Sequence, residues 1–314
     1  MRQDQLEREL RTMLAKADFM VSEPHGLRSV SFDMVARRET LIIIVKCVQN
    51  AAAMDRETAH EMKILASTLG GAPLAVASHG AKGKLEDGVV FSRYGVPLLS
   101  MGTLKDLFVE GVPPYVFAGP GGLYVKIDSD VLRKARAGNV SIGELAEAAG
   151  VSRRAIQMYE DGMGAMLEAA LRLEKFLGRN LILPVDPLSY DAGAAIDVSE
   201  SASDASGLNA EVFASLGKLG YSVYQTAHCP FDALTREREN LYVTGVAKDP
   251  AGLGDKGLAS YNVARIAGRQ SVIFTRKATS KKNAGGSAVV GQDELKKVGD
   301  PADLRRLVRE RGGR

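Results

Sequence analysis

Arg153, Arg154 and Gln157 lead a segment, Ser152 to Asp161, in which Ala155, Ile156 and Tyr159 fall on one helical face and leave those three side chains and Met158 on the other. Arginine and glutamine at the start of such a helix are the residues that make paired hydrogen bonds to guanine and adenine edges in the major groove. Ser141 and Ser152 open the two helical segments of this region, so each hydroxyl is placed to cap a helix and, with the helix-end amides, to meet a phosphate. Lys277, Lys281 and Lys282, beside Arg276 in a glycine-ended loop, are secondary candidates for phosphate contact. So is a basic C-terminus carrying Arg305, Arg306, Arg309, Arg311 and Arg314, although solvated surface is the commoner fate of such runs. Other chemistry is thinly represented. His25, His60, His79 and His228 are scattered, Cys47 and Cys229 lie far apart, and Gly119-Pro120-Gly121-Gly122 precedes a strand rather than a helix. No metal site, disulfide framework or cofactor loop is therefore expected.

The elements that must position the candidate base readers lie between Asp128 and Gly178. Ser141 to Ala149 puts Ile142, Leu145, Ala146 and Ala149 on one apolar face, Gly150 supplies a left-handed turn, Val151 tucks into the core and Ser152 caps the following helix. Two helices joined by so short a turn, the second leading with polar side chains, have the geometry of a recognition helix and its support. The set Leu132, Ala135, Arg136, Ser141, Glu144, Leu145, Ala146, Gly150, Val151, Ser152, Ile156, Tyr159, Glu160, Gly162, Leu167, Ala170, Leu171, Arg172 and Leu173 resembles the lambda-repressor-like XRE helix-turn-helix. That resemblance implies a small helical bundle bound to double-stranded DNA. One departure is Ile142, where the family often carries a glutamine that touches a phosphate. Acidic and basic residues nearly balance across the segment, so no strong basic stripe marks it.

A chain of 314 residues exceeds what one hydrophobic core usually supports, so two or three domains are expected. Its net charge of +3 permits nucleic-acid binding without arguing for it. The N-terminus is charged from the start and the longest aliphatic run, Leu41 to Val45, is too short to span a bilayer, so a cytoplasmic chain with no membrane partner is expected.

Before the helix-turn-helix, an amphipathic helix over Gln3 to Ala17 is followed by strands at Phe19 to Ser22, Ser31 to Ala36 and Leu41 to Lys46, a helix from Asp55 to Gly70 and a strand from Leu74 to Ala77. The order α-β-β-β-α-β recurs after it: a helix at Asn209 to Leu219, strands at Tyr221 to Gln225, Phe231 to Leu234 and Leu241 to Val246, a helix at Leu258 to Gly268 and a strand at Ser271 to Thr275. This order, with Asp33 entering a hairpin and Lys46 ending its aliphatic strand, resembles the PD-(D/E)xK nuclease superfamily. The resemblance implies that Asp33 is the first carboxylate and Lys46 the lysine of a Mg²⁺-dependent hydrolytic site. The second carboxylate should stand where this chain has Ile44, and in the second copy Asp232 is kept while the sequence aligns Thr244 with Ile44 and Val246 with Lys46. Both copies read as nuclease scaffolds emptied of chemistry, with no cofactor.

The expected architecture is α/β plus all-α: two nuclease-like α-β-β-β-α-β domains flanking a lambda-repressor-like bundle. Its borders are a degenerate nuclease-like domain at 1–111, a connecting hairpin at 112–127, the helix-turn-helix at 128–185, a linker at 186–207 and a second α/β domain at 208–314. The whole is similar to archaeal HTH-type transcriptional regulators. That implies sequence-specific binding of a pseudo-palindromic operator by a homodimer held through the flanking domains, with room for a small-molecule effector that no residue identifies. Two other readings stay open. One is a metal-dependent endonuclease using Asp33 and Lys46 with a carboxylate from the first helix such as Glu9; the other is an adaptor that docks proteins and binds no DNA.

Overall fold

The computed structural model describes residues 3–24, 31–81, 83–138, 140–189 and 206–313. Most of the expected linker, together with His25 and Arg314, lies outside the described residues. In chain order the first elements are α1 (Gln3–Lys16), β1 (Met20–Val21), β2 (Met34–Arg38), β3 (Leu41–Asn50), α2 (Arg56–Leu69), β4 (Ala72–Gly80), β5 (Gly83–Lys84), β6 (Val89–Arg93), β7 (Val96–Leu99) and α3 (Met101–Phe108). Then come β8 (Val116–Gly119), β9 (Gly122–Ile127), α4 (Ser129–Ala137), α5 (Ile142–Ala149), α6 (Arg153–Glu160), β10 (Ala165–Met166), α7 (Leu167–Leu177) and β11 (Ile182–Leu183). The rest are α8 (Leu208–Lys218), β12 (Ser222–Gln225), β13 (Ala233–Glu237), β14 (Asn240–Ala247), α9 (Leu253–Ile266), β15 (Gln270–Thr275), β16 (Asn283–Ala284), β17 (Ser287–Gly291), α10 (Gln292–Leu295) and α11 (Pro301–Arg311). No helix among the described residues is long and apolar enough to cross a membrane.

The chain forms two compact units. Among the described residues one comprises 48–53 and 75–189, the other 3–47, 54–74 and 206–313. In the first unit β4 and β7 run parallel, with Ala75 opposite Leu98, and β6 returns antiparallel through a turn at Tyr94 and Gly95, both at positive φ. The hairpin of β8 and β9 pairs Val116 with Val125. Strand β9 then joins the helical module at two places: Val125 pairs with Ala165 of β10 and Ile127 with Ile182 of β11. Val125 and Ile127 share one core with Leu132, Leu145, Ala149, Ile156, Tyr159, Ala170 and Leu173. Helix α6 thus packs on a core that it shares with a β-ribbon.

In the second unit β1, β2 and β3 form an antiparallel ribbon in which Val35 faces Ile44. Helix α2 is capped where the sequence places its ends: the Asp55 carboxylate accepts the Thr58 amide at 2.7 Å, and Gly70 closes it at φ +73°. The C-terminal stretch repeats the backbone hydrogen bonds of this construction. Asp33 N donates to Val45 O at 2.8 Å and Asp232 N to Thr244 O at 2.9 Å; Phe19 N donates to Leu14 O at 2.9 Å and Tyr221 N to Leu216 O at 3.0 Å. Even the hairpin turns agree, with Glu39 at φ +54° and Arg238 at φ +52°. Strands β14, β15 and β17 then run parallel.

These hydrogen bonds correct the register read from sequence by one residue. Since Asp33 matches Asp232 and Val45 matches Thr244, Ile44 matches Val243 and Lys46 matches Gly245. Strand β14 is buried on both faces from Leu241 to Ala247, so it has no alternation from which to fix its register. The first ribbon and the second also pack on one another. Phe32, Val35, Ile42, Ile44, Leu65 and Ala66 share one core with Phe231, Leu234, Leu241, Val243, Val263 and Ala264.

Candidate nucleic-acid interface

The helix-turn-helix is held by caps that are local in sequence. Ser141 Oγ accepts the Glu144 amide at 3.2 Å while Glu144 Oε2 accepts the Ser141 amide at 2.8 Å, a reciprocal capping box at the start of α5. The Ser141 backbone N–H and hydroxyl hold the Glu144 carboxyl below the usual carboxylate range. Gly150 stands at φ +69°, and a side chain there would collide with the guanidinium of Arg172, whose Nη1 donates to Ala149 O at 3.4 Å. Val151 N returns to Ala146 O at 2.9 Å, and Ser152 Oγ accepts the Ala155 amide at 3.1 Å to start α6. The far end of α6 is closed by Ser129 Oγ donating to Tyr159 O at 2.7 Å, by Arg133 donating to Glu160 O, and by Arg136 Nε on the buried Glu160 carboxylate at 2.7 Å.

With both ends fixed, Ile156 and Tyr159 anchor α6 in the core, and Arg153, Arg154, Gln157 and Met158 are exposed. Ser141 and Ser152 are exposed at the entrances to their helices. The Arg153 guanidinium lies beside Gly143, where an added Cβ would sit 3.4 Å from Nη2. Arg153 therefore leans back toward the first turn of α5, and Arg154 and Gln157 are left to project from the outer face. Ile142, the departure from the family pattern, is half-buried against the module core.

The nuclease-like positions are brought together, though not as a metal site. Asp33 Oδ1 accepts Lys46 Nζ at 3.1 Å and Oδ2 accepts the Cys47 amide at 2.6 Å, with the two side chains 12% and 11% exposed. The carboxylate is thereby spent on tying β3 to the entrance of β2. Ile44 is fully buried in the core that the two ribbons share, so a carboxylate at that position would be desolvated among aliphatics without a partner. Glu9 does not supply the missing group: it is exposed and accepts from Gln5 Nε2 at 2.9 Å. Glu7, two residues earlier and so on the opposite face of α1, pairs with Arg11 at 3.0 Å, and Arg11 Nη2 reaches Asp33 O at 3.1 Å.

The second copy replaces the lysine from another element. Lys256 of α9 donates to Asp232 Oδ2 at 2.8 Å and to Val246 O at 3.0 Å, while the Val246 amide donates to the same carboxylate oxygen at 2.7 Å. Asn209 Nδ2 takes the other oxygen at 3.2 Å. At Gly245, the counterpart of Lys46, an added Cβ would come within 3.2 Å of Lys256 Cδ, so the helix lysine runs where a strand side chain would begin. Sequence spacing gave no hint of Lys256. Among the described residues no group of three or more His, Cys, Asp or Glu side chains could hold a metal ion, and the residues present do not fit a two-carboxylate Mg²⁺ site.

Several basic residues of the C-terminal segment are already engaged. Lys282 pairs with Glu294 at 2.9 Å, Arg311 with Glu294 at 2.9 Å and Arg305 with Glu237 at 2.7 Å, which makes Lys282 a poorer phosphate candidate than the exposed Lys277 and Lys281. The Arg311 guanidinium, with help from the Gly291 amide and Lys282, holds the Glu294 carboxyl down to about 2. A carboxyl depressed on folding contributes stability that is full above its ordinary value near 4.5 and lost as pH falls toward 2. The stability gap between wild type and Glu294→Gln, measured by urea unfolding at stepped pH, is expected to narrow across that window. A gap constant with pH would show that the pairing does not hold.

The match to known proteins follows the same division. A family model described as a PD-(D/E)XK superfamily domain matches residues 3–114, and one described as helix-turn-helix matches residues 132–182. A protein of Methanocella arvoryzae is 38% identical over 303 residues, covering 95% of this chain and 94% of that one. One of Methanococcoides burtonii is 36% identical over 319 residues, covering 100% and 99%, and one of Halobacterium salinarum is 36% identical over 308 residues, covering 96% and 95%. All three carry names describing them as HTH-type transcriptional regulatory proteins. No solved structure matches.

Proposed function

The chain belongs to the family of HTH-type transcriptional regulatory proteins, and from that premise we propose that it reads double-stranded DNA through α6 and performs no catalysis. The observation that carries this reading is the pair Arg154 and Gln157, exposed on a helix fixed at both ends and anchored by Ile156 and Tyr159. These two read base edges in the major groove; Arg153, Ser141 and Ser152 meet phosphates at the helix entrances. Lys277 and Lys281 are secondary phosphate contacts. A pseudo-palindromic operator takes two chains, one recognition helix per half-site, with half-sites about 34 Å apart. The flanking domains, 1–111 and 208–314, are two copies of a nuclease-like scaffold whose shared order of elements serves structure, and the protein works in the cytoplasm. A small-molecule effector has no residue assigned to it.

Mobility shift at low salt tests the reading, because even sequence-independent binding appears there. A shifted complex is expected. No shift with any fragment would leave the protein-docking adaptor. The nuclease reading is tested separately by incubating plasmid with the protein and Mg²⁺ or Mn²⁺. The plasmid is expected to stay intact, since Asp33 is held by Lys46 and the Cys47 amide; cutting that disappears in Lys46→Ala would restore a catalytic role to both residues.

A further inference from the structure

We propose that the two α/β repeats are each other's dimer partner, so that the chain is a monomer off DNA and brings one recognition helix to its site. An isologous dimer face is self-complementary: residue i of one copy meets j of the other, and j meets i. The face shared by the two ribbons has that property inside one chain. Phe32 and its counterpart Phe231 approach with ring centroids 6.3 Å apart, and Val35, Ile42 and Ile44 are answered by Leu234, Leu241 and Val243.

The polar contacts repeat the exchange. Arg236 donates to Thr68 O in the last turn of α2, while its counterpart Arg37 lies against Gly268, just past the end of α9, where an added Cβ would strike its guanidinium. Each repeat's hairpin arginine thus meets the carbonyl end of the other repeat's helix, where a cation is favoured. One contact breaks the symmetry and disfavours the pairing of two second copies. Glu61 of α2 accepts the amides of Ala227 and His228 at 2.7 Å and 3.2 Å, together with the Ser31 hydroxyl. The register of the two helices puts Ala259 at the matching position of α9, so two second copies facing one another would lack this anchor. The apolar face of each ribbon is covered by the chain's own other copy and is not open to the flanking domains of a second chain. Two chains therefore come together on the operator and not before it.

Sedimentation velocity of the full chain without DNA, at micromolar concentration, is expected to give a single species near 33.5 kDa. A stable species of twice that mass would overturn the proposal, whether paired or swapped, and needs no operator to be seen. Hydrogen exchange tests the internal docking: in Glu61→Ala the amides of Ala227 and His228 should lose protection by about tenfold or more while the mass stays that of a monomer. Unchanged exchange at those amides would equally overturn it. If the variant does not fold, the mass of the wild-type chain alone decides.

Discussion

Replacing Arg154 and Gln157 together by alanine is expected to lower affinity for a duplex selected from random DNA by roughly two orders of magnitude or more, since each paired contact to a base carries about 1–3 kcal/mol. Both side chains are exposed, and the helix they stand on is retained by Ile156 and Tyr159 and by its caps. Stability should accordingly change by less than about 0.5 kcal/mol, the usual range for surface positions. The loss should fall on the selected duplex and far less on a scrambled one, which fluorescence anisotropy at a single fixed salt concentration measures directly. An equal loss on both duplexes would make these residues phosphate contacts and move the base reading elsewhere on the module.

Truncating Phe32 to alanine should have the largest effect on folding, a loss of about 3–5 kcal/mol, because the ring is fully buried and its removal leaves a cavity that the neighbouring β-ribbons cannot close. Its neighbours come from both repeats, and Phe231 lies tilted at 41° against it. Phe231→Ala should cost a similar amount. The double variant should lose less than the sum, since adjacent side chains share one cavity. Urea midpoints of the four proteins give the comparison. A loss under about 1 kcal/mol for either single variant would mean that the repeats do not pack through this core.

The helical module was legible because its signals are local: Ser141, Gly150 and Ser152 cap and turn within a few residues of the positions they control, and the apolar faces of α5 and α6 follow directly. The repeat was legible as an order of elements, yet its register was misread by one because β14 is buried throughout. The migrated lysine was invisible for a different reason. Lys256 substitutes for Lys46 through space, from a helix that follows the strand, and no spacing rule connects them. Glu7 and not Glu9 lies toward Asp33 for a simpler reason: two residues apart they stand on opposite faces of α1, and which face meets the ribbon depends on how α1 sits on it. Helix α11 left a signal in Asp300 and Pro301, an N-cap followed by proline in the first turn, that the run of arginines obscured. Ile44 shows best what sequence withholds. It reads as a lost carboxylate, and the packing of the second copy over that position appears only in the fold.

The most direct test of α6 as the reader of base edges is selection of bound fragments from random DNA, run in parallel with wild type and Arg154→Ala. The account predicts a defined motif for wild type and, for the variant, the same motif relaxed at one base position in each half-site. Recovery of no motif by wild type, or of an unaltered motif by a variant weakened uniformly on every sequence, would contradict it.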